Sequence, residues 1–187
     1  MKPLEKLSAH RAGVLAAKWP VLRFVGLFAV VLAAFYGFSA TPWFQHDLFP
    51  AYLRLNAQVS AAILRLLGED AHATGISIAS SRFGLEIKRG CDATEPCFLL
   101  IAAVLAFPAP WKSKFAPIML GPTVLLLLNL LRIVSLYYAG VYWPGAFEFI
   151  HVDVWQTLFL CITMLLWIVW AWRVINHHRI KNTNEPQ

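Results

Sequence analysis

Apolar residues in this chain fall in long uninterrupted blocks, not in the alternating or every-third-position patterns of a soluble fold. Between Arg23 and Asp47 there is no Asp, Glu, Lys or Arg. The apolar core of that block, with Val21 and Leu22 added, makes about 30 Å of helix, the thickness of bilayer hydrocarbon. A shorter block from Pro96 to Trp111, extendable back to Ala93, closes on Pro108, Pro110, Lys112 and Lys114. A third begins at Phe115 and continues past a single charge, Arg132, and a fourth, Val154 to Trp172, is charge-free over 19 residues. The pattern predicts an all-α polytopic membrane protein with about four transmembrane helices, at 21–40, 93–111, 115–137 and 154–172. The basic start followed by an apolar core also fits a signal peptide. No small-residue cleavage site comes after it, so the first block is expected to be a retained helix behind a basic leader at 1–20.

The one sizeable region outside these spans is 41–92. Ala51 to Leu67 carries apolar residues at helical spacing with Arg54 and Arg65 on a polar side, which predicts a helix at the membrane interface. Gly75 to Arg89 predicts a β-hairpin, Ile76 to Ala79 and Leu85 to Lys88 around a Ser-Ser-Arg-Phe-Gly turn, that delivers the chain to Gly90 and Cys91. The expectation is one membrane domain over 1–187, with 41–92 as an insertion and 173–187 as a tail.

Charge then sets the orientation. If both termini are cytoplasmic, the inner side holds ten basic residues against two acidic ones, and the outer side six against eight. Basic residues concentrate on cytoplasmic flanks, so this arrangement is favoured and 41–92 is extracytoplasmic. Trp43, Trp111, Trp143 and Trp172 fall near expected span ends, where amphipathic rings collect. With 59% apolar and 14% charged residues, the chain is no disordered tail or secreted disulfide scaffold. Its net charge of +6 comes from residues flanking apolar runs, not from a basic stripe between aromatics, so nucleic acid is not an expected partner.

Three side chains then fall on one side of the membrane: Cys91 before the second span, Arg132 in the outer half of the third, and His151 before the fourth. Thiolate is the reactive form of cysteine, and a neighbouring imidazole can generate it. An arginine inside an apolar run is costly unless it is paired or faces a polar cavity, and its fork suits an oxyanion or a substrate carbonyl. Each has a plainer reading as well: a spare surface thiol, a snorkelling arginine, a hydrogen-bonded interfacial histidine. Asp92 and Glu95 can balance charge at the start of span two, Glu148 and Asp153 can orient His151, and Asn129 can hydrogen-bond across the bundle from the face of Arg132. Cys91, Cys97 and His151 match no metal-ligand spacing, and no nucleotide, metalloprotease or serine-hydrolase motif occurs, so neither metal nor cofactor is expected. His177 and His178 lie in a basic tail suited to anionic lipid.

Gly90-Cys91 before a helix, Asn129-Leu130-Leu131-Arg132-Ile133 within the next, and His151 before the last together resemble the exosortase and archaeosortase family, most like its exosortase H branch. The resemblance covers about Gly90 to Trp170 and, more loosely, the leading span. It implies a cysteine transpeptidase or protease of the bacterial inner membrane with Cys91 as nucleophile and Arg132 and His151 as partners. Its substrates would be exported proteins ending in a short motif, a spanning helix and a basic tail, with a lipid or glycan nucleophile, or water, as acceptor. Gly121 and Gly140 offer small positions where a substrate helix could pack. The chain departs from the family in being shorter than its eight-span members. It also has Asp92-Ala93-Thr94 after the cysteine where a glycine is often found. The competing classes are a small transport or channel subunit, or a non-catalytic membrane partner, using Arg132 without the thiol.

Overall fold

The computed structural model describes the backbone of residues 2–183 and the side chains of residues 18–177. Most of the expected leader 1–20 and the far end of the tail 173–187 therefore lie outside the described side chains. Helix α1 runs Lys2–Ser39, and after a π-helical turn at Phe44–Leu48 helix α2 occupies Phe49–Leu66. Strands β1 (His72–Thr74), β2 (Ser77–Ala79) and β3 (Gly84–Glu86) lead to α3 (Thr94–Ala106) and α4 (Trp111–Tyr142). A 3-10 turn at Pro144–Ala146, a helical turn α5 (Phe147–Phe149) and a second π-helical turn at Ile150–Val154 enter α6 (Trp155–Thr183).

Three segments are long and apolar enough to cross a bilayer: Lys18–Ser39, Trp111–Tyr142 and Pro144–His177. Their lipid-facing surfaces show large apolar side chains such as Val30, Leu120 and Leu165, each more than half exposed. Within the expected span at 93–111 the helix itself is α3, 13 residues and about 20 Å long, so the stretch after it, up to α4, is extended chain. Phe107 is already extended and Pro108 and Pro110 come next, so the helix cannot continue. Lys114 reaches back from α4 to cap α3, donating Nζ–H to the Leu105 carbonyl at 2.7 Å.

The expected two-strand hairpin is the β2–β3 pair of a three-stranded antiparallel sheet in the order β1-β2-β3, with Ile78 opposite both Ala73 and Leu85. Three-residue β1 has too little alternation to be read from its sequence. Helix α2 buries Phe49, Leu53, Ala57, Ala61 and Leu64 at three- and four-residue spacing, with Arg54 and Arg65 exposed opposite. That stripe packs on the sheet and on α4. The two glycines read as seats for a substrate helix are filled from within. A Cβ at Gly121 would stand 2.3 Å from Leu100, and one at Gly140 would stand 2.2 Å from the Phe83 ring. They allow α3, and the turn between β2 and β3, to lie close on α4.

Candidate active site

The chain leaves β3 through the turn Lys88 to Cys91, closed by the Cys91 N–H on the Lys88 carbonyl at 3.0 Å. Gly90, third in that turn, has φ +92°, a conformation that L side chains rarely adopt. Asp92, 2% exposed, braces the turn on both sides. One carboxylate oxygen accepts from the Thr94 N–H at 2.7 Å and from its hydroxyl, and the other accepts from the Gly90 N–H at 3.3 Å. Ala93 is the only non-glycine described residue with positive φ, at +59°. It therefore adopts the left-handed conformation for which glycine is the usual residue.

Helix α2 grips this loop from outside. The Tyr52 hydroxyl donates to the Asp92 carbonyl, and the Arg89 guanidinium lies 4.9 Å from the Phe49 ring centroid. Burial pushes the Tyr52 phenol up to about 12, so it stays a proton donor at any physiological pH. Sequence reading does not pick out Tyr52, because its partner lies 40 positions away.

Arg132, 3% exposed, joins two distant segments. Nη1 donates to the Gly90 carbonyl at 2.9 Å and Nη2 to the His151 carbonyl at 3.1 Å, while Nε has no partner. Its guanidinium lies 5.6 Å from the Phe159 ring centroid, so an aromatic face helps to carry the buried charge. The fork brings together the loop before α3 and the π-helical turn before α6. Cys91 Sγ then stands 2.7 Å from His151 Nε2. Cys91 is 7% exposed, and burial pushes its thiol above the ordinary range while the positive Arg132 opposes the rise.

The other sequence candidates are spread more widely. Glu148 Oε2 is 3.8 Å from His151 Nδ1, close enough for an ion pair and too far for a hydrogen bond, so the buried Nδ1 has no hydrogen-bond partner. Asn129, fully buried, donates across the bundle to Asn56 Oδ1 at 3.4 Å and does not touch the Cys91–His151 pair. Glu95 and Asp153 are exposed. Cys97 and Cys161 are free thiols. A cleft of about 370 Å³ opens beside Cys91 and His151, lined by β3 and the turn after it, by Phe147 and Glu148, and by Ile133 and Leu136.

The sequence over residues 7–177 matches the family described as Transmembrane exosortase (Exosortase_EpsH). The chain belongs to the transmembrane exosortase family. Exosortases are membrane cysteine transpeptidases that process sorting signals, and the long apolar helices give this exosortase a multi-pass inner-membrane placement. Among curated proteins and solved structures, none matches the chain.

Proposed function

We propose that this exosortase cleaves the C-terminal sorting signals of exported proteins through an acyl-enzyme on Cys91, on the extracytoplasmic side. The observation that carries the reading is the 2.7 Å contact between Cys91 Sγ and His151 Nε2 beside an open cleft. In this reading His151 Nε2 takes the thiol proton as Sγ attacks the substrate carbonyl. The tetrahedral adduct collapses to a thioester as the imidazolium protonates the departing amine. An incoming amine, a lipid or glycan nucleophile, or water then attacks the thioester, its proton passes to His151, and the thiolate leaves and is reprotonated. The raised thiol fits a Cys91 that rests protonated, its thiolate forming only during attack.

Arg132 positions both reacting arms and holds positive charge beside the sulfur, where it favours negative charge developing on the attacked carbonyl. Asp92 and Asn129 act as supports, Glu148 places negative charge 3.8 Å from the imidazole, and Glu95 and Asp153 contribute exposed charge nearby in the sequence. The depth of the site follows from this orientation. With Trp111 and Lys112 at the inner boundary, Arg132 stands about 31 Å along α4, at the outer edge of the hydrocarbon. Helix α3 and the extended residues after it then form the fourth crossing, both termini are cytoplasmic, and the whole chain works as one membrane unit. The substrate's spanning helix and basic tail would lie in the bilayer and on its inner face, with surrounding lipid as neighbour.

The test incubates the membrane-reconstituted enzyme with an exported protein of the same source that carries motif, helix and basic end. Intact-mass spectrometry should find a substrate-derived acyl adduct on Cys91 and release of the C-terminal helix. Full cleavage by Cys91→Ala would remove the nucleophile and return Arg132 to a transport or structural role.

A further inference from the structure

The β-sheet ends in an edge whose backbone has no partner. In the β2–β3 pair the Ile87 N–H donates to the Ile76 carbonyl at 3.0 Å and the Ser80 N–H to the Phe83 carbonyl at 3.2 Å. These bonds fix the phase of the ladder, since residues alternate between facing the partner strand and facing away. Phe83, Leu85 and Ile87 therefore direct their backbone groups inward to β2. Gly84 and Glu86, opposite Ala79 and Ser77, direct their N–H and C=O groups outward. At the other edge of the sheet β1 lies with β2 on α2 and contributes no residue to the cleft, so β3 is the edge beside Cys91. The outward groups of β3 border the cleft that holds Cys91 and His151.

We infer that β3 is a docking strand: the substrate segment ahead of its membrane helix adds as a fourth strand, hydrogen-bonded to Gly84 and Glu86, and so carries its scissile carbonyl to Cys91. The inference rests on the enzymatic reading above and names how that site holds its peptide. The chemistry of the edge selects the occupant. Two outward N–H and two outward C=O groups are complementary to an extended backbone, whereas a helix consumes its own backbone groups internally. A second copy of this chain could pair edge to edge, but the charged side chains of Glu86 and Lys88, both exposed, guard the strand against that. Specificity would then come from alternate substrate side chains, those facing inward resting on Ile133, Leu136 and Phe147.

Proline separates the backbone contact from the side chain. Glu86→Pro deletes one outward N–H and leaves the inward bonds of Leu85 and Ile87 intact, while Glu86→Ala deletes only the carboxylate. With the exported protein as substrate, KM for Glu86→Pro should exceed that for Glu86→Ala about tenfold, the loss of one peptide hydrogen bond. Equal KM values in two active variants would overturn the inference. A binding readout is independent of turnover: Glu86→Cys in a background of Cys91→Ala, Cys97→Ala and Cys161→Ser, with a single cysteine moved residue by residue along the substrate segment. Disulfide formation should peak at one substrate position and recur, more weakly, two residues to either side of it. Disulfides at three- and four-residue spacing, disulfides between two enzyme copies, or none at all would each overturn it. Alternate-position disulfides from a chain whose native form shows no Cys91-dependent cleavage would sink the enzymatic reading and leave the docking strand standing.

Discussion

The two arms that meet over Arg132 are built to different stiffness. The Cys91 arm is tied by the turn bond to Lys88, by three bonds to the Asp92 carboxylate, by Tyr52 on the Asp92 carbonyl and by Arg132 on Gly90. The His151 arm leans on Arg132 through one carbonyl, sits in a π-helical turn, and leaves its Nδ1 without a hydrogen-bond partner. The difference matches the work proposed for each. A nucleophile must be aimed once, whereas a base must collect a proton from sulfur and deliver it to a leaving nitrogen displaced from it. Slack in the second arm permits that small swing.

The largest expected effect treats the arms alike, since the proposed chemistry needs both. Cys91→Ala and His151→Ala should each lower substrate cleavage by at least about 10³-fold, and the double variant should be no worse than the more damaging single one. Additive losses would mean the two side chains do not act as a unit. The next effect separates the arms. Asp92→Ala releases three donors around a buried loop and should cost about 2–3 kcal/mol of stability with a parallel loss of kcat. Glu148→Gln, on the exposed side of the other arm, should cost less than about 0.5 kcal/mol and lower kcat a few-fold. Thermal unfolding in nanodiscs checks the contrast, and equal destabilisation would erase it.

A smaller effect lies in thiol reactivity. Because burial holds the Cys91 thiol up, its alkylation by iodoacetamide should still be climbing above pH 9.0. Arg132→Gln removes the charge that opposes the rise, so less thiolate is present at a given pH and labelling should slow across the neutral range. Faster labelling would show that Arg132 chiefly shields the sulfur. The smallest effect is Tyr52→Phe, which removes one hydrogen bond to the stiff arm. It should lower stability by about 1 kcal/mol and cleavage a few-fold.

Legibility followed the range of the interactions. The spans at α1, α4 and α6 are written in local composition, because a bilayer selects about 20 successive apolar residues whatever their neighbours do. Cys91, Arg132 and His151 stand out as expensive or reactive side chains at span ends, and the family match covers all three. Helix α3 reads longer in sequence than it is, since the apolar run continues through Phe107 while the backbone there is already extended. Tyr52 and Phe159 are ordinary aromatic residues in sequence and acquire roles only from what folds against them.

Local composition was enough to dictate that this chain crosses a membrane, which residues flank the crossings, and which few polar side chains had to find company there. Those outcomes stem from transfer free energies that add up residue by residue along a segment. Folding in three dimensions was needed for Arg132 to donate to two carbonyls 61 positions apart in the chain, for Ala93 to take a left-handed turn, and for β3 to keep a bare edge beside the thiol. Each of those depends on contacts between segments distant in sequence, where hydrogen-bond direction and close packing select one arrangement among many of similar local energy.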